Sequence, residues 1–192
     1  MILLSAVVCG LLAGWGWARW RGRPYQGPEL RSIWLVLVGF VPQLIVAYLP
    51  ATHFLVPRWL AAASLSASLV FFLAFVWLNR RLPGMPVLLA GLLLNLVVIA
   101  ANGGWMPIAP ETASRVMGED VSKLIALGAR FGQKDILLLP QDIRLGLLSD
   151  RFMLPAWSPY QAAFSAGDVL IGAGAFWVLA KPPAQVEKLQ AE

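Results

Sequence analysis

The sequence predicts an all-α integral membrane protein of about five transmembrane helices, forming a single membrane domain over residues 1–192. Three observations predict it. Apolar residues make up 59% of the chain and charged residues only 13%, where soluble domains carry roughly 25% charged; mean hydropathy is +0.71. Apolar runs long enough to cross a hydrocarbon core recur along the chain, with basic residues gathered at their ends. An amide, Asn95, stands in the middle of one such run, Leu88 to Pro107. Hydrocarbon offers it no water, so it demands a partner on a neighbouring span.

The first span is expected over residues 2–17. No positive residue precedes it and Arg19, Arg21 and Arg23 follow it, so it reads as a retained helix rather than a signal peptide. Val8 before Cys9 argues against a lipoprotein cleavage site, and the single cysteine builds neither a disulfide framework nor a cysteine metal site. Gly10 and Gly14 make a small face for close packing within the bundle, and Trp15, Trp17 and Trp20 mark the headgroup level.

The second span is expected over 33–49, bent at Pro42, with Gly39, Gln43 and Ala47 on one protein-facing stripe. The third, over 60–78, has a first half rich in Ala and Ser and a bulky second half, Phe71 to Trp77, free to meet lipid or a partner subunit. The fourth, over 85–102, places Gly91, Asn95, Val98 and Asn102 on one face and ends at Asn102-Gly103-Gly104, a helix-break motif. An insertion over 103–164 follows, in which Glu119 to Phe131 reads as a short amphipathic helix. The fifth span is expected over 166–180.

Arg19, Arg21, Arg23 and Arg31 follow span one, Arg80 and Arg81 follow span three, and Lys181 and Lys188 follow span five. Five crossings bring these groups to one side, and excess Lys and Arg make that side cytoplasmic. The N-terminus is then outside, the C-terminus inside and the insertion extracytoplasmic, in a bacterial inner membrane. A net charge of +5 would suit nucleic acid only along one polar face; here the basic residues mark span ends, so nucleic acid is not an expected partner. The lipid bilayer and other membrane proteins are.

Gln43, Asn95, Asn102, Ser165 and Asp168 fall in the outer half of this topology and form a candidate polar pocket. Asp168 is the one acid inside an apolar span, where an ionisable group is by default a functional candidate. Ser165 with Asp168 three residues on also reads as a capping box, which is the stronger reading. For Asn95 and Gln43, interhelical glue is likewise the stronger reading. His53 stands alone, which excludes a multi-histidine metal or bis-histidine haem site; a loop histidine reads first as an ordinary interfacial residue, with a single axial ligand to haem or pigment as the alternative. No metal site and no catalytic set is expected: Ser64, Ser66 and Ser68 lack an evident base. Cofactors stay undecided.

At Asn102-Gly103-Gly104-Trp105-Met106-Pro107 and at Phe164-Ser165-Ala166-Gly167-Asp168-Val169-Leu170-Ile171, the chain resembles an uncharacterised family of small bacterial multi-pass membrane proteins. Its members look similar over nearly the whole length, with a glycine-rich first span followed by basic residues, an N-G-G-x-M-P break and an F-S-x-G-D-V-L-I start to the last span. They often place an L-G-D-type segment before that span, from which Leu148-Ser149-Asp150-Arg151-Phe152 departs. The resemblance implies fold and topology and carries no activity. The expected function is a non-catalytic accessory or scaffold subunit of a larger membrane complex, with photosynthetic and respiratory assemblies as hosts. The alternative is a small transporter or lipid-handling protein using the outward polar pocket.

Overall fold

The computed structural model describes residues 2–44, 56–155, 157, 158 and 160–181. His53, Ala47 and Lys188 lie outside the described residues. The chain is mostly helical, with helices α1 (Ile2–Trp20), α2 (Trp34–Gln43), α3 (Arg58–Leu78), α4 (Met85–Ala101), α5 (Pro110–Met117) and α6 (Ala166–Ala180). Of these, α1 with 19 residues and α3 with 21 are long and apolar enough to cross a membrane; α2, α4 and α6 are shorter apolar helices.

Small residues set how the long helices meet. Helices α4 and α6 run antiparallel and touch backbone to backbone at two levels. A Cβ added to Gly84 would lie 2.5 Å from the Gly174 carbonyl oxygen, and one added to Gly91 would lie 2.6 Å from that of Gly167. Hydrogen is the largest side group these positions accept. Helix α1 lies parallel to α6, with Ile2 and Ala6 beside Gly172, Gly10 against Phe176 and Gly14 against Leu179. Helix α2 packs on α3, where Gly39 abuts Phe72. Such close van der Waals contact between backbones is what small residues at a helix interface permit.

The bulky half of α3 is not the free surface its sequence suggests. Phe75 and Val76 are buried and the Phe72 ring lies tilted against Phe40 of α2, 5.1 Å between centroids, while Val70 and Trp77 stay exposed. An α-helix presents several faces, and here two of them meet α2 and the core.

One end of the bundle is basic. Buried Asn79, just after α3, donates from Nδ2 to the carbonyls of Arg31 (2.9 Å) and Phe75 (2.8 Å) and accepts from the Arg31 N–H (2.7 Å). Tyr25 donates its hydroxyl to the Leu179 carbonyl at 2.8 Å. These bonds tie the 21–31 loop, the turn before α4 and the end of α6 together, and with them Arg19, Arg21, Arg23, Arg31, Arg80, Arg81 and Lys181.

The other end carries the insertion, and the all-α expectation fails there. Strands β1 (Met106–Ile108), β2 (Arg130–Phe131) and β3 (Asp135–Leu137) form a sheet of order β1-β3-β2, with β1 parallel and β2 antiparallel to β3. Strands β4 (Phe152–Met153) and β5 (Ala163–Phe164) pair antiparallel. Nor is Glu119 to Phe131 a helix. The helix comes earlier, as α5, because Pro110 favours a first helical turn and left-handed Gly118 ends it. Asp120 then caps a single 3₁₀ turn, Val121–Lys123, and Gly128, at φ +77°, turns the chain into β2.

Ile108, Ala113, Val121, Phe131 and Leu137 give the insertion a small core of its own. It is joined to the bundle through Met106, which enters the α3/α4 core, and through Trp105 and Ile136, which pack on Ala61 and Ala62 of α3. The insertion is a cap seated on the helices.

Candidate functional site

The site lies where cap and bundle meet, around the first turn of α6. Ser165 stands in extended conformation ahead of that helix, so its side chain can turn back on the exposed backbone N–H groups. The Ser165 hydroxyl accepts from the Asp168 N–H at 3.0 Å, and an Asp168 carboxylate oxygen accepts from the Ser165 N–H at 3.2 Å. A capping box is formed.

Asn95 of α4 completes it. Its Nδ2 donates to Asp168 Oδ1 at 2.8 Å, and its Oδ1 accepts from the Ser165 hydroxyl at 2.9 Å. Gly167 admits the amide: a Cβ there would sit 2.0 Å from Asn95 Oδ1. Asn95 and Ser165 are buried, and both atoms of the amide are used within the network.

A second cluster comes from the cap. Lys134, in the turn between β2 and β3, bonds Asp150 and lies 3.4 Å from Asp135. The Asp150 side chain is 1% exposed, and its backbone N–H donates to the Pro107 carbonyl of β1. Asp135 Oδ1 and Asp150 Oδ1 are shut from solvent without a hydrogen-bond partner. Asp168 is near enough for its charge to act on all three groups.

Burial pushes the Asp135 carboxyl up to about 7; Lys134 pulls against this, and the Asp150 charge adds to it. Asp150 is likewise raised, by burial first, with Lys134 opposing and Asp168 reinforcing. Desolvation alone would lower Lys134, but the Asp135, Asp150 and Asp168 charges and the Asp150 hydrogen bond outweigh it and hold the ammonium above its ordinary range. One cation among several carboxyls cannot neutralise them all. The cluster can therefore retain a proton into the neutral range. Among the described residues, no group of three or more His, Cys, Asp and Glu side chains is arranged to hold a metal ion.

Of the five candidate pocket residues, Asn95, Ser165 and Asp168 come together; the other two are placed elsewhere. Asn102 grips the cap: its Nδ2 donates to the carbonyls of Val98 (2.8 Å) and Arg144 (2.9 Å), and its Oδ1 accepts from the Arg144 N–H (3.0 Å). Gln43 ends α2, the helix that packs on α3. The break itself turns through Gly103 at φ +72° and Gly104 at φ +88°, and Gly104 is pressed against Ala62. Lys134 and Asp135 were invisible as site residues, being ordinary charges in a balanced insertion. Asp150 left one trace, its place in the segment that departs from L-G-D.

The geometry defines a mostly helical protein with a capped bundle and a buried polar junction. The chain belongs to a family of unknown function, DUF5317, whose model matches residues 28–180. It is similar to an uncharacterised protein of Thermotoga maritima, 28% identical over 160 residues that cover 82% of this chain and 79% of the relative. No solved structure matches it.

Proposed function

We propose that the chain is a bacterial inner-membrane protein crossing the bilayer five times, N-terminus outside and cap outward, and that it works as a non-catalytic accessory or scaffold subunit of a larger membrane complex. The observation that carries this reading is the contrast between its surfaces. The helices turn large apolar side chains outward, among them Leu4, Leu12, Leu37 and Val70, while the amide of α4 and the acid of α6 are spent on each other and on Ser165. Asn95, Ser165 and Asp168 close a network around themselves. The parallel α1 and α6, the antiparallel α4 and α6, and the basic groups at one end accord with alternating spans and the positive-inside rule.

The test is affinity purification of the tagged full chain in mild detergent, followed by mass spectrometry and an absorption spectrum. Stoichiometric membrane proteins are expected to come with it, and a bound haem or pigment would show in the spectrum. A clean single species would sink the subunit reading.

A second reading, a small transporter or lipid-handling protein with an outward polar site, is favoured by the Lys134, Asp135 and Asp150 cluster. Its buried carboxylate oxygens without a hydrogen bond are what a solute or proton site needs. Proton or solute flux in liposomes that Asp150→Asn abolishes would establish it, and flux unchanged by that substitution would remove the cluster from any transport path.

A further inference from the structure

A different part of the cap carries an unbalanced charge. Arg130 opens β2 and pairs with Ile136 of β3, so its side chain shares the sheet face that packs toward Trp105 and the start of α3. Its guanidinium stands over the Trp105 ring, 4.9 Å from the centroid. The ring attracts the charge but uses none of its directional donors. Nε, Nη1 and Nη2 are all shut from solvent, and none has a hydrogen-bond partner. Among the described residues Arg130 forms no ion pair.

The charged group it feels has the same sign. Arg58, the exposed first residue of α3, donates from Nη2 to the Gly128 carbonyl, two residues before Arg130. Burial and the Arg58 charge both pull Arg130 below its ordinary value. Native proteins rarely leave a buried guanidinium's donors unmade, and two neighbouring arginines attract an anion.

We propose that Arg58 and Arg130, over the Trp105 ring, form a binding site for a phosphate group, and that its natural occupant is the headgroup phosphate of an anionic phospholipid. Two guanidinium forks converge on phosphate geometry better than on a point anion. Exposed Arg58 supplies the guanidinium that a headgroup reaches, and Arg130 supplies the one whose donors are unmade. The bilayer as source rests on the membrane reading above. On that reading Arg58 begins a spanning helix and its exposed neighbour Trp59 marks the headgroup depth, where lipid phosphates lie.

The test is thermal unfolding of the full chain in mild non-ionic detergent, titrated separately with phosphatidylglycerol, phosphatidylcholine and inorganic phosphate. Phosphatidylglycerol is expected to raise the wild-type midpoint well beyond phosphatidylcholine, with an apparent affinity about tenfold weaker or worse in Arg58→Gln and Arg130→Gln. Arg81→Gln, at the opposite end, should bind like wild type. Should Arg130→Gln fail to fold, exposed Arg58→Gln still decides the matter. Equal stabilisation by both lipids, or equal weakening in Arg58→Gln and Arg81→Gln, overturns the proposal. Stabilisation by inorganic phosphate but not phosphatidylglycerol, lost in Arg58→Gln, upholds the phosphate site and overturns the lipid source. A chain that stays soluble and folded without detergent overturns the membrane reading, while the phosphate titration still tests the site.

Discussion

Two buried polar clusters lie within electrostatic reach of each other at the capped end of the bundle, and they are built on opposite rules. Around Asn95, the amide, the Ser165 hydroxyl and the Asp168 carboxylate meet one another as donors and acceptors, and the geometry is fixed by a helix start and a glycine contact. Around Lys134, carboxyls outnumber the cation, and two buried carboxylate oxygens have no hydrogen bond. The first is a joint and the second a titratable junction. Satisfied polar groups fix a structure, whereas unsatisfied ones keep a free energy that a proton or ligand can release. That difference suits a helix pair that must stay together and a cap that can respond.

The hardest way to break the comparison is at the joint's steric foundation. Gly167→Ala drives a methyl into Asn95 and the Gly91 carbonyl and should cost about 3 kcal/mol or more of stability. Gly16→Ala, where a methyl meets nothing within 4 Å, should leave the thermal midpoint unchanged or slightly raised. Equal behaviour of the two variants in detergent melts would discredit the α4/α6 contact.

At the junction, Lys134→Met leaves Asp150 and Asp135 without their cation. The expected loss is about 2 kcal/mol, below that of a fully buried pair because the Lys134 side chain keeps 38% exposure. Acid should restore much of it by protonating the carboxyls, so melts near pH 4 and pH 8 should differ in how far the variant trails the wild type.

The junction also predicts a pH profile. Asp135 has its folded value raised from 3.8 to about 7, so the folded chain holds a proton that the unfolded chain has released. Its contribution to stability is complete below about pH 4 and is lost as pH rises through about 7. Asp135→Asn should flatten that decline. A wild-type midpoint that climbs across the same window would contradict the burial of this carboxyl.

The smallest effect belongs to the joint's hydrogen bonds taken singly. Asn95→Ala removes two of them and should cost about 1 kcal/mol, in line with modest interhelical bonds in apolar surroundings. A double-mutant cycle with Ser165→Ala should show coupling, because the hydroxyl donates to that amide.

Much of the helical framework was legible. Predicted spans 85–102 and 166–180 meet α4, Met85–Ala101, and α6, Ala166–Ala180, almost residue for residue. A proline near one helix start, a serine cap at the other and a glycine break after α4 are local devices that act within one turn. The first helix runs on to Trp20, past the expected end at 17, because nothing breaks the helix until left-handed Gly22. Strands of two or three residues carry too short a pattern to show alternation, so the cap read as one misplaced helix and loops.

The sequence by itself determined the apolar helices, their breaks, the charges at their ends and the capping box, since each follows from composition or from bonds between near neighbours. Only the tertiary structure decided that Asn95 finds Ser165 and Asp168, that Asn102 holds the backbone at Arg144, that Lys134 meets Asp150 and that Arg130 comes beside Arg58. Those meetings join residues far apart along the chain. They depend on which glycine faces let helices approach and on where the cap's small sheet settles on α3, and no spacing within a single segment encodes either.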